Sequence, residues 1–243
     1  MSEEASSSTS SSTKGSGTGV PGAIVVAGAL ITLAIFFSNL APLLPADHPS
    51  DVAGEHQAMV TPEPPTIGDV RPVDDSDHVR GAADGTITVI EYSDLECPFC
   101  ARFHPTMEQL VEEYPNDVRW VYRHFPLRIH PGAGPKAHAA ECAGEQGRFW
   151  EFTDALFEAG ANHPVGELDT IARQAGVNDI TAWQTCVDEE RYAEKVAADE
   201  QDAQAAGGRG TPYSLIISAE GEQLPINGAQ PYEAVKATVD SLL

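Results

Sequence analysis

Basic residues are scarce in this chain. Fourteen lysines and arginines face 37 aspartates and glutamates, a formal net charge of −23 over 243 residues. A field of that sign repels phosphate backbones and excludes nucleic-acid binding as a working function. Only four of the bases are lysines: Lys14, Lys136, Lys195 and Lys236. Little lysine with abundant carboxylate suits high salt, where screening removes self-repulsion; it suits an acidic extracellular surface as well. Cysteines number only four, with no second CxxC and no HxxxH, so a zinc site lacks a full ligand set. Charge is missing altogether from residues 20–44, VPGAIVVAGALITLAIFFSNLAPLL. Apolar residues are not scarce: at 42% they support a real core and exclude disorder of the whole chain.

The sequence divides into four parts. Residues 1–19 are a Ser, Thr and Gly tract with almost nothing to bury, expected to be a disordered tail. From Ala23 to Leu44 a helix would run roughly 33 Å, enough for a bilayer core of ~30 Å. That run exceeds a signal-peptide core, and no small-x-small cleavage pair or lipid-bearing cysteine follows it, so residues 20–44 read as a retained transmembrane anchor. Lys14 is the only base before the span and Arg71 the first after it, a weak bias that points the N-terminus inward and the remainder outside the cytoplasm. Residues 45–80 are Pro-rich with eight acidic residues and no sustained periodicity, the composition of an extended tether. His48, His56 and His78 are scattered in it as solvated side chains rather than grouped as ligands.

A folded domain is expected over 81–243. TITVIEY (86–92) reads as a buried strand. Residues 98–113 carry Phe99, Phe103, Met107, Leu110 and Val111 at helical spacing behind Pro98, and VRWVYRHF (118–125) gives a second strand. A helical block spans about 132–206. Two short strands follow Thr211-Pro212, and a helix from about Tyr232 closes the chain.

Within ECPFC, Cys97 falls at the N-cap of the helix and Cys100 one turn inside it. Unpaired N–H groups and the helix dipole favour a thiolate at Cys97, lowering its pKa below ~8.5. That asymmetry suits thiol–disulfide exchange better than a four-residue structural ring, which would be strained and reducible.

These motifs carry a resemblance. IEYSDLECPFC at the end of a strand, AAECAGEQGRFWEFTDALF in a helical block, then GTPYSLII before a hairpin and a last helix resemble the thioredoxin superfamily. Within it, the chain is similar to the DsbA-like disulfide oxidoreductases over about 81–243. The resemblance implies an α/β thioredoxin-like fold with an inserted helical domain, here preceded by one transmembrane helix. It implies Cys97 as nucleophile, Cys100 as resolving cysteine, and Pro98 and Phe99 as the dipeptide that tunes the potential. Phe99 departs from the histidine of strongly oxidising members. Thr211 and Pro212 match the substrate-binding cis-proline turn, and Glu91 the buried acid that exchanges protons with Cys100; strand alternation alone leaves the face of Glu91 open. No cofactor is implied. The partners implied are exported cysteine-containing proteins and a quinone-linked membrane reoxidant. A reductase or isomerase on the same fold, and a redox-inert binding domain, are the alternatives. Cys142 and Cys186 fit a structural disulfide, two buried thiols or a second redox pair; as a disulfide they would contribute roughly 4 kcal/mol.

Overall fold

A computed structural model of the chain describes residues 68–243. The expected tail, the anchor at 20–44 and most of the tether lie outside the described residues. Among the described residues no helix is long and apolar enough to cross a membrane.

Among the described residues five strands and seven α-helices follow one another as β1 (His78–Gly81), β2 (Ile87–Ser93), α1 (Pro98–Glu113), β3 (Val118–His124), α2 (Ala133–Gly144), α3 (Phe149–Ala159), α4 (Leu168–Gln174), α5 (Ile180–Asp188), α6 (Ala193–Ala205), β4 (Tyr213–Ile217), β5 (Gln223–Asn227) and α7 (Tyr232–Asp240). The sheet order is β1-β3-β2-β4-β5. β2 and β3 are parallel through α1, and the other neighbours are antiparallel. β2 is buried along its whole length, as its β-branched, apolar run requires of a central strand. This is the α/β thioredoxin-like fold, with α2–α6 inserted between β3 and β4 as a helical subdomain.

Alternation along the strands makes two cores. Val89, Trp120, Tyr122 and Ile216 pack with Cys100, Phe103 and Met107 of α1, with Val235 and Val239 of α7, and with the helical subdomain. Ile90, Tyr92, Val121 and Leu215 face the other way, against Ala203 of α6 and Val70 and Val73 of the entering chain. A disulfide joins Cys142 of α2 to Cys186 of α5, with an S–S distance of 2.02 Å.

The folded unit begins earlier than the expected boundary at 81. β1 lies antiparallel on the edge of β3, with His78 opposite Tyr122. Residues 68–77, expected in the solvated tether, pack onto the sheet. The fully buried Arg123 of β3 is what holds them. Its guanidinium donates to both carboxylate oxygens of Asp77 (2.9 and 2.8 Å), to Asp202 (2.6 Å) and to the carbonyls of Arg71 and Pro72. Arg71 in turn reaches Asp74, Asp77 and Asp199. A buried guanidinium must be paired, and the acidic approach segment supplies the partners.

Candidate active site

β2 ends at Ser93, and the two residues that follow set the turn into α1. The buried carboxylate of Asp94 accepts the N–H of Glu96 at 2.7 Å, the N–H of Leu127 at 2.9 Å, and lies 2.8 Å from His130 Nδ1. Its carbonyl accepts the N–H of Cys97 at 3.0 Å, and its own N–H donates to Cys100 Sγ at 3.4 Å. An Asx turn thus fixes both cysteines relative to the strand.

Cys97 is the N-cap residue of α1 and Pro98 occupies its first turn, where the missing N–H costs nothing. Both cysteines are free thiols and both are buried. The Cys97 thiol donates to the Thr211 carbonyl at 3.4 Å, across the cis peptide bond between Thr211 and Pro212. The turn 114 residues downstream is thereby brought against the nucleophile position. Phe99 is 52% exposed, with the Arg102 guanidinium 4.9 Å from its ring centroid, and offers Cys97 only its backbone N–H.

The two thiols are electrostatically unequal. A hydrogen bond from the Cys100 thiol, aided by Thr211 and by the N–H groups of Cys100 and Phe99, lowers Cys97 to about 5 against the opposing effect of burial. Each backbone N–H at the helix start contributes less than the neighbouring thiol. Burial pushes Cys100 well above the ordinary thiol range, reinforced by Cys97 and by the nearby Glu91. Glu91 is 0% exposed and burial raises it to about 7. It shares its sheet face with Val89 and Ser93, on the side of α1, and neither carboxylate oxygen has a hydrogen-bond partner among the described residues. Such a set can ionise one thiol near neutral pH, hold the other protonated, and keep a carboxyl poised between its two states.

A family model described as thioredoxin matches residues 74–241. The chain belongs to the thioredoxin family. Among solved structures, this thioredoxin-family chain is similar to Pseudomonas aeruginosa DsbA2 at 29% identity and a TM-score of 0.61, covering 72% of this chain and 97% of that one. A thioredoxin-like oxidoreductase from Silicibacter pomeroyi matches at 28% identity and 0.60, covering 69% and 92%. Oxidised BdbD from Bacillus subtilis, 22% identical with a TM-score of 0.62 and coverage of 72% and 97%, shares the fold. The fold is that of the DsbA-like thiol oxidoreductases, and the free Cys97 and Cys100 stand where such a fold carries a CxxC pair.

Curated relatives include an Na(+)/H(+) antiporter NhaA 1 of Mycolicibacterium gilvum, 36% identical over 180 residues, and one of Salinispora arenicola, 32% identical over 220 residues. They align with 72% and 90% of this chain, which spans about a third of the length of each.

Sequence reasoning missed Asp94, Ser93, His104 and Tyr122 as parts of the site. Ser93-Asp94 carries the turn signal that could have found the first two. His104 lies one turn beyond Cys100 on the buried face of α1.

Proposed function

We propose that this protein introduces disulfide bonds into exported proteins, acting outside the cytoplasm from a membrane anchor at residues 20–44. The observation that carries the reading is the split between the two thiols: Cys97 lowered to about 5, Cys100 raised by burial. A stabilised thiolate stabilises the reduced enzyme and so makes its disulfide the better oxidant.

In the proposed cycle a substrate thiolate attacks Cys97 Sγ of the oxidised pair, and the Cys97–Cys100 bond breaks with its electron pair on Cys100. Cys100 takes a proton from Glu91, which at about 7 is part-protonated at neutral pH. The Thr211 backbone beside Cys97 pairs with the substrate strand and steadies the mixed disulfide, with Pro212 fixing the turn. The second substrate thiolate then displaces Cys97, leaving substrate oxidised and enzyme reduced by two electrons. The chain itself holds those electrons as thiols, and a quinone-linked membrane protein takes them in turn. Cys142–Cys186 serves as a structural brace.

Two further points support the location. The match to the Salinispora arenicola antiporter covers 90% of the chain, a span that takes in the apolar stretch as well as the thioredoxin domain. An anchored enzyme also meets a membrane reoxidant at raised effective concentration. Phe99, which adds no side-chain donor to Cys97, favours a milder second reading, an isomerase or reductase.

The test is the redox equilibrium of the full chain in detergent against glutathione, read by thiol alkylation. A potential of about −120 to −180 mV supports disulfide donation, whereas about −270 mV makes the protein a reductase. A Cys97→Ser variant that matures exported proteins as well as wild type would leave only a redox-inert binding role.

A further inference from the structure

On the α1 face of the sheet, several buried polar atoms have no hydrogen-bond partner among the described residues: both carboxylate oxygens of Glu91, Ser93 Oγ, Trp120 Nε1, the Tyr122 hydroxyl and Nδ1 of His104. Each is costly to bury unmatched, so the group invites a functional account. Glu91 and Ser93 enter it from β2, Trp120 and Tyr122 from β3, and His104 from α1.

His104 differs from the rest because it has a second face. The residue is only 4% exposed, yet its Nε2 lies 2.8 Å from Asp154 Oδ1 on α3 and 3.9 Å from Glu108 Oε1 on its own helix. Arg80 of β1 completes this outer group, 2.6 Å from Asp154 Oδ2 and 3.1 Å from Glu108 Oε1. His104, Glu108, Asp154 and Glu158 line an open cleft of about 340 Å³. One imidazole nitrogen is therefore in the core and the other at the cleft. Burial pushes Asp154 up, but hydrogen bonds from His104 and Arg80 hold it below the usual carboxylate range. With one proton on the ring, an ionised Asp154 holds that proton on Nε2 and leaves Nδ1 a bare acceptor facing inward.

Trp120 packs beside His104 on this face, its ring centroid 5.1 Å from that of the imidazole. After burial, which disfavours the Glu91 carboxylate, the largest effect on it comes from His104, whose ring favours the ionised form whenever it carries a second proton.

We propose that His104 is a positioning residue of the redox centre, which passes protons between buried Glu91 and the acidic cleft at Asp154. This rests on the reading of Cys97–Cys100 as a redox pair whose protons Glu91 exchanges. When the pair is oxidised, the proton that Glu91 has taken from Cys100 moves to His104 Nδ1 through an intervening water molecule. The proton on Nε2 moves to Asp154 and from there to solvent in the cleft. Glu91 ends ionised and the imidazole neutral, with its proton on Nδ1. When the pair is reduced, Nδ1 returns a proton to Glu91 while Nε2 takes one from the cleft, which restores the starting tautomer. Oxidation and reduction alternate in every turnover, so the relay resets itself.

The test uses the full chain in detergent with two substitutions. His104→Gln keeps an N–H donor toward Asp154 but cannot pass a proton, and Asp154→Asn removes the ionised outer acceptor. Two quantities are read: the 13C titration of the Glu91 carboxyl, and the pH dependence of the Cys100 step in single turnover. In His104→Gln the Glu91 midpoint should rise by ~0.5 unit or more, since a favourable neighbour is gone. The Cys100 step should slow roughly tenfold near neutral pH, while the alkylation rate of Cys97 stays unchanged. Asp154→Asn should slow the same step and gives the answer if His104→Gln does not fold. Glu91 titrations and pH profiles that superimpose on wild type overturn the proposal. A wild type that exchanges no disulfides overturns the redox reading instead, and the Glu91 titration still tests the coupling to His104.

Discussion

Cys97 gives the most direct measurement at the scale of a residue. With its thiol lowered to about 5, its alkylation rate should rise with pH through an inflection near 5 and be flat by pH 7. The same shift links redox state to stability. A folded-state pKa below the unfolded value of about 8.5 gives the reduced protein stability that is fully present above the unfolded value and lost as pH falls toward 5. The oxidised protein has no such thiol, so the Tm of the reduced form minus that of the oxidised form should grow between pH 5 and 8; a constant gap would contradict the lowered thiol. Glu91→Gln should slow the Cys100 step by roughly 10–100-fold at neutral pH and erase the inflection near 7, checked by single-turnover kinetics. The cysteines and Thr211-Pro212 were legible in the sequence because their chemistry is local to a motif. His104 was not, because its meaning comes from groups on β1, β2, β3 and α3 that only the fold assembles.

Elements that close on their own neighbours were readable from periodicity. β2, α1 and β3 fall within a residue or so of the expected ranges because β-branched runs and a Pro-led amphipathic stretch specify them locally. β1 was not readable. HVRG lies in a Pro- and Asp-rich stretch whose composition is that of a solvated linker, and it is ordered by Arg123, some 40 residues on. Arg123→Ala should therefore cost about 3–5 kcal/mol in urea unfolding, because Asp77 and Asp202 would be left buried without their counter-charge. Cleavage at 81 should destabilise the domain for the same reason, so a stable fragment needs to keep the approach segment from Val70 to Asp77. Replacing both Cys142 and Cys186 by serine removes a link across 44 residues and should lower stability by roughly 4 kcal/mol in the same measurement.

For the molecule as a whole, the charge of −23 is the dominant quantity. Self-repulsion among so many carboxylates weakens the compact state, and salt screens it. Raising KCl from about 0.1 M to 1 M should raise the Tm of the full chain in thermal scans, and an unchanged Tm would argue against a salt-suited surface. The brace between α2 and α5 has another consequence. It is itself a disulfide in a protein read here as a maker of disulfides, so each new copy needs an oxidant before its helical subdomain is secured. On the proposed function that oxidant is an older copy of the same enzyme. Maturation is then a chain of inheritance, seeded by the first oxidised molecule and self-amplifying afterwards. Cells that resume synthesis from none should show a lag in Cys142–Cys186 closure that a trace of mature enzyme abolishes.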